Sequence, residues 1–281
     1  MLRVKDLLIM PDILTDLSPP ALAVAVENNL YALFESFAPL PGAELHRTPA
    51  FLRYRVPGLM NPMFNGIARC NIPPDMIDST IHDTIAYFRS HQTSFWFWWL
   101  GGSSQSRELS SHLEARGFIP YEFDAPGMAV DLHNLNEDVK TPEHFRITKV
   151  ADEEMLRVWG HTFVTAYQVP EFAGQSWIDA SLRLGVTQTP WQFYVGWLGD
   201  EPVSVSMLVV GGGVVGLLAL ATLPSARGQG IGSAMTLAPL RDGRAMGYRV
   251  GILFSTDMGF SVYSRLGFQQ YTTISRYLWR A

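Results

Sequence analysis

Three glycines alternate in the run Arg227-Gly228-Gln229-Gly230-Ile231-Gly232, between an apolar, β-branched stretch ending near Thr222 and a helix-like stretch that starts inside the run itself. Glycine lets a backbone turn tightly and approach a ligand with no Cβ in the way. The first turn of a helix carries unbonded amides and the positive end of the helix dipole, which together make an anion site. A guanidinium at Arg227 could add a charged contact to a phosphate. The chemistry implied is the grip of a diphosphate. The spacing is neither the Gly-Lys-Ser/Thr pattern of a nucleotide-triphosphate loop nor the usual dinucleotide fingerprint. Three glycines weaken a helix start unless something requires them.

The elements around this run read as an α/β arrangement. "HFRITKV" is a strand. "DEEMLRVWGHTFVTAYQ" is an amphipathic helix with an acidic first turn, and "GQSWIDASLRLGV" is a shorter helix. "WQFYVGWLGD", "EPVSVSMLVV" and "VVGLLALAT" are three strands joined by a Gly-Asp-Glu turn and a triple-glycine turn. "GIGSAMTLAPLRDGRAMGY" is a helix that Pro239 and Gly243 are expected to kink or weaken in its second half. "RVGILFS" is a strand, "GFSVYSRLG" a helix and "QYTTISRYLWR" the last strand.

A polar segment without apolar periodicity, residues 133–144, reads as a linker between residues 1–132 and 145–281. The two parts share a faint repeat. "GLLALATLP" precedes "SRLGF" much as "NGIARCNIP" precedes "EARGF", with a helix-like stretch and an apolar strand between. Another apolar strand follows each Gly-Phe. After Pro73, however, comes "PDMIDSTI", with two aspartates and no glycine, so the first part has no anion loop. The tryptophans of "FWFWWL", Trp96, Trp98 and Trp99, read as a buried strand.

Composition bounds the function. The 281 residues are 47% hydrophobic and 17% charged, the balance of packed cores rather than disorder. A net charge of -5 offers no field for nucleic acid. The single cysteine, Cys70, allows no intrachain disulfide, fits a reducing compartment and reads as a small core residue. The N-terminal run does not have the form of a signal peptide, so a cytoplasmic protein is expected. Residues 202–226 lack charge over a length that could span a bilayer, but the central glycines make two buried strands the better reading.

With these residues in place, the C-terminal part resembles the GNAT superfamily of N-acyltransferases. The family's acyl-CoA loop, Arg/Gln-x-x-Gly-x-Gly/Ala, is matched by Arg227, Gly230 and Gly232. Its tyrosine shortly before Gly-Phe is matched by Tyr263 ahead of Gly267-Phe268. The resemblance covers roughly residues 145–281, and the N-terminal part resembles a degenerate copy, as in tandem GNAT proteins. It implies two GNAT-like units, each a mixed, mostly antiparallel sheet flanked by helices. It implies acetyl-CoA or another acyl-CoA as co-substrate, no metal, and direct attack by the amine of a small molecule or peptide. No membrane or nucleic-acid partner is expected, and the sequence leaves the oligomeric state open.

The resemblance also distributes roles. The amides of Gly228, Gln229, Gly230, Ile231, Gly232 and Ser233 would hold the pyrophosphate. Leu220, Ala221, Thr222 and Leu223 would splay from the neighbouring strand and pair with the pantetheine amides. Thr256 stands where many relatives have Asn and would hydrogen-bond the cofactor. Tyr263 would give a proton to the leaving thiolate, which a phenol within hydrogen-bond reach can do. The general base is the weak point: an alkylamine is mostly protonated at neutral pH, and "VVGLLALAT" lacks the glutamate that some relatives place there. His161, Tyr167, Glu171 and Asp179 are the candidates. The rival reading is an acyl-CoA sensor without catalysis, which the missing carboxylate favours and Tyr263 opposes.

Overall fold

The computed structural model describes residues 13–102, 106–187 and 189–280. The chain forms two compact units. One comprises Met1–Leu33 and Gly127–Tyr271, the other Phe34–Pro126 and Thr272–Ala281. This is not the sequential division at residues 133–144. Two long strands, β5 (Ile119–Asp131) and β11 (Gln269–Arg280), each run from one unit into the other. The helix α1 (Pro19–Glu35) begins in the unit of the C-terminal half, where Leu22, Ala25 and Val26 pack with Val214, Val250 and Ile252 and Asn29 anchors it. Its buried Nδ2 donates to the carbonyls of Val209 (3.2 Å) and Gly211 (3.0 Å).

In the first unit the strands lie in the order β5-β10-β9-β8-β7-β6. These are β6 (Phe145–Lys149), β7 (Trp191–Leu198), β8 (Glu201–Gly211), β9 (Val214–Thr222) and β10 (Val250–Phe254). β6 to β9 form an antiparallel run, whereas β10 is parallel to β9 and antiparallel to β5. The uncharged stretch 202–226 is thus the β8–β9 hairpin, turned at Gly212 and Gly213, and among the described residues no helix is long and apolar enough to cross a membrane.

Neighbouring residues on a strand point to opposite faces, and β7 shows which helix covers which. The Tyr194 hydroxyl donates to Asp242 of α6 (Ile231–Ala245) at 2.7 Å. Phe193 meets the ring of Trp159 on α4 (Glu153–Tyr167), centroids 4.7 Å apart. α4 and α6 therefore lie on opposite faces. Asp152 caps α4, its carboxylate accepting from the Met155 amide at 2.8 Å. α5 (Glu171–Leu184) starts earlier than its sequence pattern, directly after Pro170. α6, expected to kink or weaken at Pro239 and Gly243, is helical from Ile231 to Ala245 with Pro239 inside it. Asp242, held by Tyr194 and by Lys149 at 2.9 Å, ties its second half to β7 and β6. Gly243 lets Val215 pack in, since a Cβ there would lie 2.7 Å from a valine methyl.

The segment read as a linker is fastened down. Glu137 pairs with Arg241 and Arg244 of α6, each at 2.8 Å, and Asn136 donates its amide and side chain to the carbonyls of Leu266 and Arg265. Polarity without periodicity here means a strap held by side chains.

In the second unit the order is β1-β2-β3-β4-β11. It contains β1 (Glu44–Arg47), β2 (Leu52–Arg55), β3 (Asn65–Ala68), β4 (Phe95–Gly101), α2 (Ile77–Ser90) and α3 (Ser106–Ala115). β3 and β4 are parallel and separated in sequence by α2, repeating the β9–α6–β10 pattern. β11 pairs with β4 from Ile274↔Gly101 to Arg280↔Phe95. Trp96 and Trp98 are wholly buried, with Trp96 stacked on Phe88 at 4.3 Å, so the tryptophan run is core. Cys70 is buried, and burial pushes its thiol pKa up to about 12, which leaves an inert side chain. Asp78, in the first turn of α2, faces His112 and Arg116, and no glycine loop precedes it.

Candidate active site

β9 ends at Thr222, the Leu223 amide donates to Val203 at 2.8 Å, and a short 3-10 turn, Pro224–Ala226, leads into the glycine run. Gly230 is the N-cap residue of α6 and supplies no side-chain cap. Most helices satisfy their first amides with Ser, Thr, Asp or Asn at this place. Here the six consecutive amides of residues 228–233 have no acceptor among the described residues. Free amides at the start of a helix, with the positive end of its dipole, form a cradle suited to an anion.

The three glycines differ in how strictly their positions demand glycine. Gly228 (φ +76°) has open space where a Cβ would be, so only its left-handed backbone demands glycine. Gly230 (φ +81°) would also drive a Cβ into the Lys140 carbonyl of the strap. Gly232 has helical backbone, and its nearest neighbour, Thr222 Oγ1, would be 3.9 Å from a Cβ, so a side chain fits there.

Beside this cradle the sheet opens. β9 and β10 pair only from Val215↔Gly251 to Leu217↔Leu253, yet β9 continues for five residues beyond. A bulge in β9 marks the divergence: Val205 faces Ala221 while Met207 faces Leu218, and Ala219 takes φ +50°. Past the bulge the alternation is clear. Ala221 and Leu223 turn their backbone groups toward β8, where Ser204 Oγ donates to the Ala221 carbonyl at 2.7 Å. Leu220 and Thr222 therefore direct theirs to the open side.

Both open-side carbonyls are already occupied. The Tyr167 hydroxyl, at the end of α4, donates to Leu220 at 3.0 Å. Arg227 Nε donates to Thr222 at 3.0 Å, and its Nη2 reaches the Ala166 carbonyl at 3.4 Å. Arg227, expected on a phosphate, here clamps the end of α4 to the end of β9.

α7 (Asp257–Arg265) follows β10. Thr256 is its N-cap, the hydroxyl accepting from the Gly259 amide at 3.3 Å, so it is engaged in holding the helix. Tyr263 is 8% exposed and sits in the same apolar cluster as Leu217 and Leu253, the last paired residues of β9 and β10. Its ring packs where a Cβ on Gly259 would intrude, 2.7 Å from Cε2. Its hydroxyl has no hydrogen-bond partner among the described residues, and burial pushes its pKa up to about 12, so it stays a phenol able to donate.

Of the four candidate bases, Tyr167 hydrogen-bonds β9 through the Leu220 carbonyl. Asp179 accepts from Gln175 at 2.7 Å on α5, and His161 and Glu171 are exposed. Sequence reasoning missed the Ala219 bulge and the hydroxyl of Ser204, for which no local signal exists in "VSVSMLVV".

No protein-family model matches the sequence, and no curated protein matches it. Solved structures do share the fold. A GCN5-related N-acetyltransferase from Kribbella flavida superimposes with TM-score 0.66 at 16% identity, over 88% of this chain and 93% of that one. One from Sphaerobacter thermophilus gives 0.60 at 13% identity, over 93% and 92%. A tandem GNAT protein from the clavulanic acid biosynthesis pathway gives 0.56 at 12%, over 86% and 84%. The chain has the fold of the GCN5-related N-acetyltransferases, in a two-unit arrangement.

Proposed function

We propose that this chain is an acyltransferase that moves an acetyl group from acetyl-CoA, or the acyl group of a related acyl-CoA, to the amine of a small molecule or peptide. The observation that carries the reading is the run of six amides, residues 228–233, without an acceptor, beside the open side of β9. The cradle fits a diphosphate, and the polar backbone of Leu220 and Thr222 fits an extended chain bearing amides. The reaction proposed needs no metal.

A bound acyl-CoA would supply an activated thioester. The amine nitrogen bonds to the acyl carbon as the carbon–sulfur bond breaks. Tyr263 gives its phenolic proton to the departing sulfur, and the proton lost by the amine returns to the phenol through water. The fit of Tyr263 to this task rests on its protonated state and its place beside the divergence of β9 and β10. Such a cosubstrate, and the lone buried thiol of Cys70, accord with a cytoplasmic setting.

A second reading, an acyl-CoA sensor, draws on the lack of any ionisable residue on β9. Release of free thiol from acetyl-CoA across a panel of amines decides between the two. An enzyme turns over with at least one amine class and is impaired by Tyr263→Phe. A sensor binds CoA and releases none. A chain that fails to bind CoA overturns both.

A further inference from the structure

The two carbonyls that face the open side of β9 are each held by a side chain from elsewhere in the same unit, Tyr167 on Leu220 and Arg227 on Thr222. A ligand lying along that side as an added strand would direct its amide N–H groups at these same acceptors. We propose that Tyr167 and Arg227 are an internal stand-in for the ligand, an autoinhibitory cap that must let go of the β9 carbonyls before the pantetheine arm of acyl-CoA can pair with them. The inference rests on the acyl-CoA reading and adds to it a regulation of the same site.

Four features make the cap a device rather than a chance contact. The pattern follows strand alternation: the capped residues are 220 and 222, while the intervening Ala221 is bonded from the β8 side by Ser204. Tyr167 is the last residue of α4 and is 42% exposed, so its ring can swing outward without opening the core. It ends an aromatic ladder, Trp159 on Phe163 at 5.2 Å and Phe163 on Tyr167 at 4.9 Å, whose first member is wholly buried. The ladder sets where the hydroxyl returns. Arg227, meanwhile, stands at the start of the amide cradle. A phosphate seated there would draw the guanidinium off Thr222 and free that carbonyl, so occupation of the cradle would uncap the strand.

The test uses the full chain and three probes: CoA, pantetheine, which lacks the phosphates, and adenosine 3′,5′-bisphosphate, which lacks the pantetheine arm. Calorimetry compares wild type with Tyr167→Phe, which keeps the ring and deletes only the hydroxyl. Removing a competing hydrogen bond is expected to tighten CoA and pantetheine by about two- to tenfold. The bisphosphate is expected to bind both proteins equally. Tyr167→Leu separates the ring from the hydroxyl: it is expected to give the same gain, and melting curves check that each variant is folded. Wild type that binds CoA while neither variant gains affinity overturns the cap and leaves the acyl-CoA reading standing. A gain that extends to the bisphosphate also overturns it, since that probe has no pantetheine arm to pair with β9. Wild type that binds neither CoA nor the bisphosphate overturns both.

Discussion

The carbonyl of Lys140 lies directly against the α-carbon of Gly230, so that any side chain at position 230 would overlap it. One glycine of the run is therefore demanded by the strap, whatever ligand is bound. The consequence is that Gly230 is a poor position for probing ligand binding, and Gly232 a good one.

Gly232→Asp places a carboxylate in the first turn of α6, where backbone geometry and space accept it. An acidic residue there favours the helix by a few tenths of a kcal/mol. It also puts negative charge in the cradle. CoA binding is expected to fall by about a hundredfold or more while the melting temperature holds or rises. Gly230→Ala is expected to lower the melting temperature by several degrees, as about 1–3 kcal/mol of strain and overlap would. Calorimetry with CoA and a thermal melt on the two variants check both halves.

Tyr263→Phe removes the phenolic proton and little else. The rate of thiol release is expected to drop roughly a hundredfold, with CoA affinity changed less than twofold. A parallel loss of CoA binding would instead make Tyr263 a packing residue.

Alkaline pH should unfold the protein through its buried phenols. Burial pushes the Tyr263 pKa from the ordinary phenol value of 10.0 up to about 12, and Tyr194 is raised by burial and by the Asp242 carboxylate it donates to. A group whose folded pKa is raised stabilises the fold fully below its unfolded pKa and loses that contribution as pH climbs through the folded value. Stability from these groups is thus expected to hold up to about pH 10 and to fall between about pH 10 and 12. Urea titrations at stepped pH, with Tyr263→Phe flattening part of the fall, test this.

Asn29→Ala deletes the two hydrogen bonds that anchor α1 on Val209 and Gly211. The buried carbonyls already bond within the sheet or turn, so the expected loss is about 1–3 kcal/mol. A denaturant midpoint unchanged from wild type would mean that α1 is held by its apolar face alone.

Much of the molecule is written in local pattern. The order of strands and helices from Phe145 to Arg280, the acidic start of α4 and the tight β8–β9 turn each follow from residues within a few positions of one another, and their propensities agree with the fold. The run at residues 227–232 is legible as a candidate anion loop for the same reason: turn, amides and helix start are all local. Tyr263 is legible through its spacing to Gly267 and Phe268, although its burial is not.

What tertiary structure alone decided are relationships between residues far apart in the chain. The passage of β5 and β11 between units depends on pairings such as Val250↔Asp131 and Ile274↔Gly101, which no window of sequence contains. The strap is a strap because Glu137 finds two arginines on α6, and Arg227 became a clamp on β9 because Thr222 and Ala166 present their carbonyls to it. Backbone polar groups must find partners somewhere. The sequence states which residues can offer a hydrogen bond, but only the folded chain brings donor and acceptor together across the distances that choose among them.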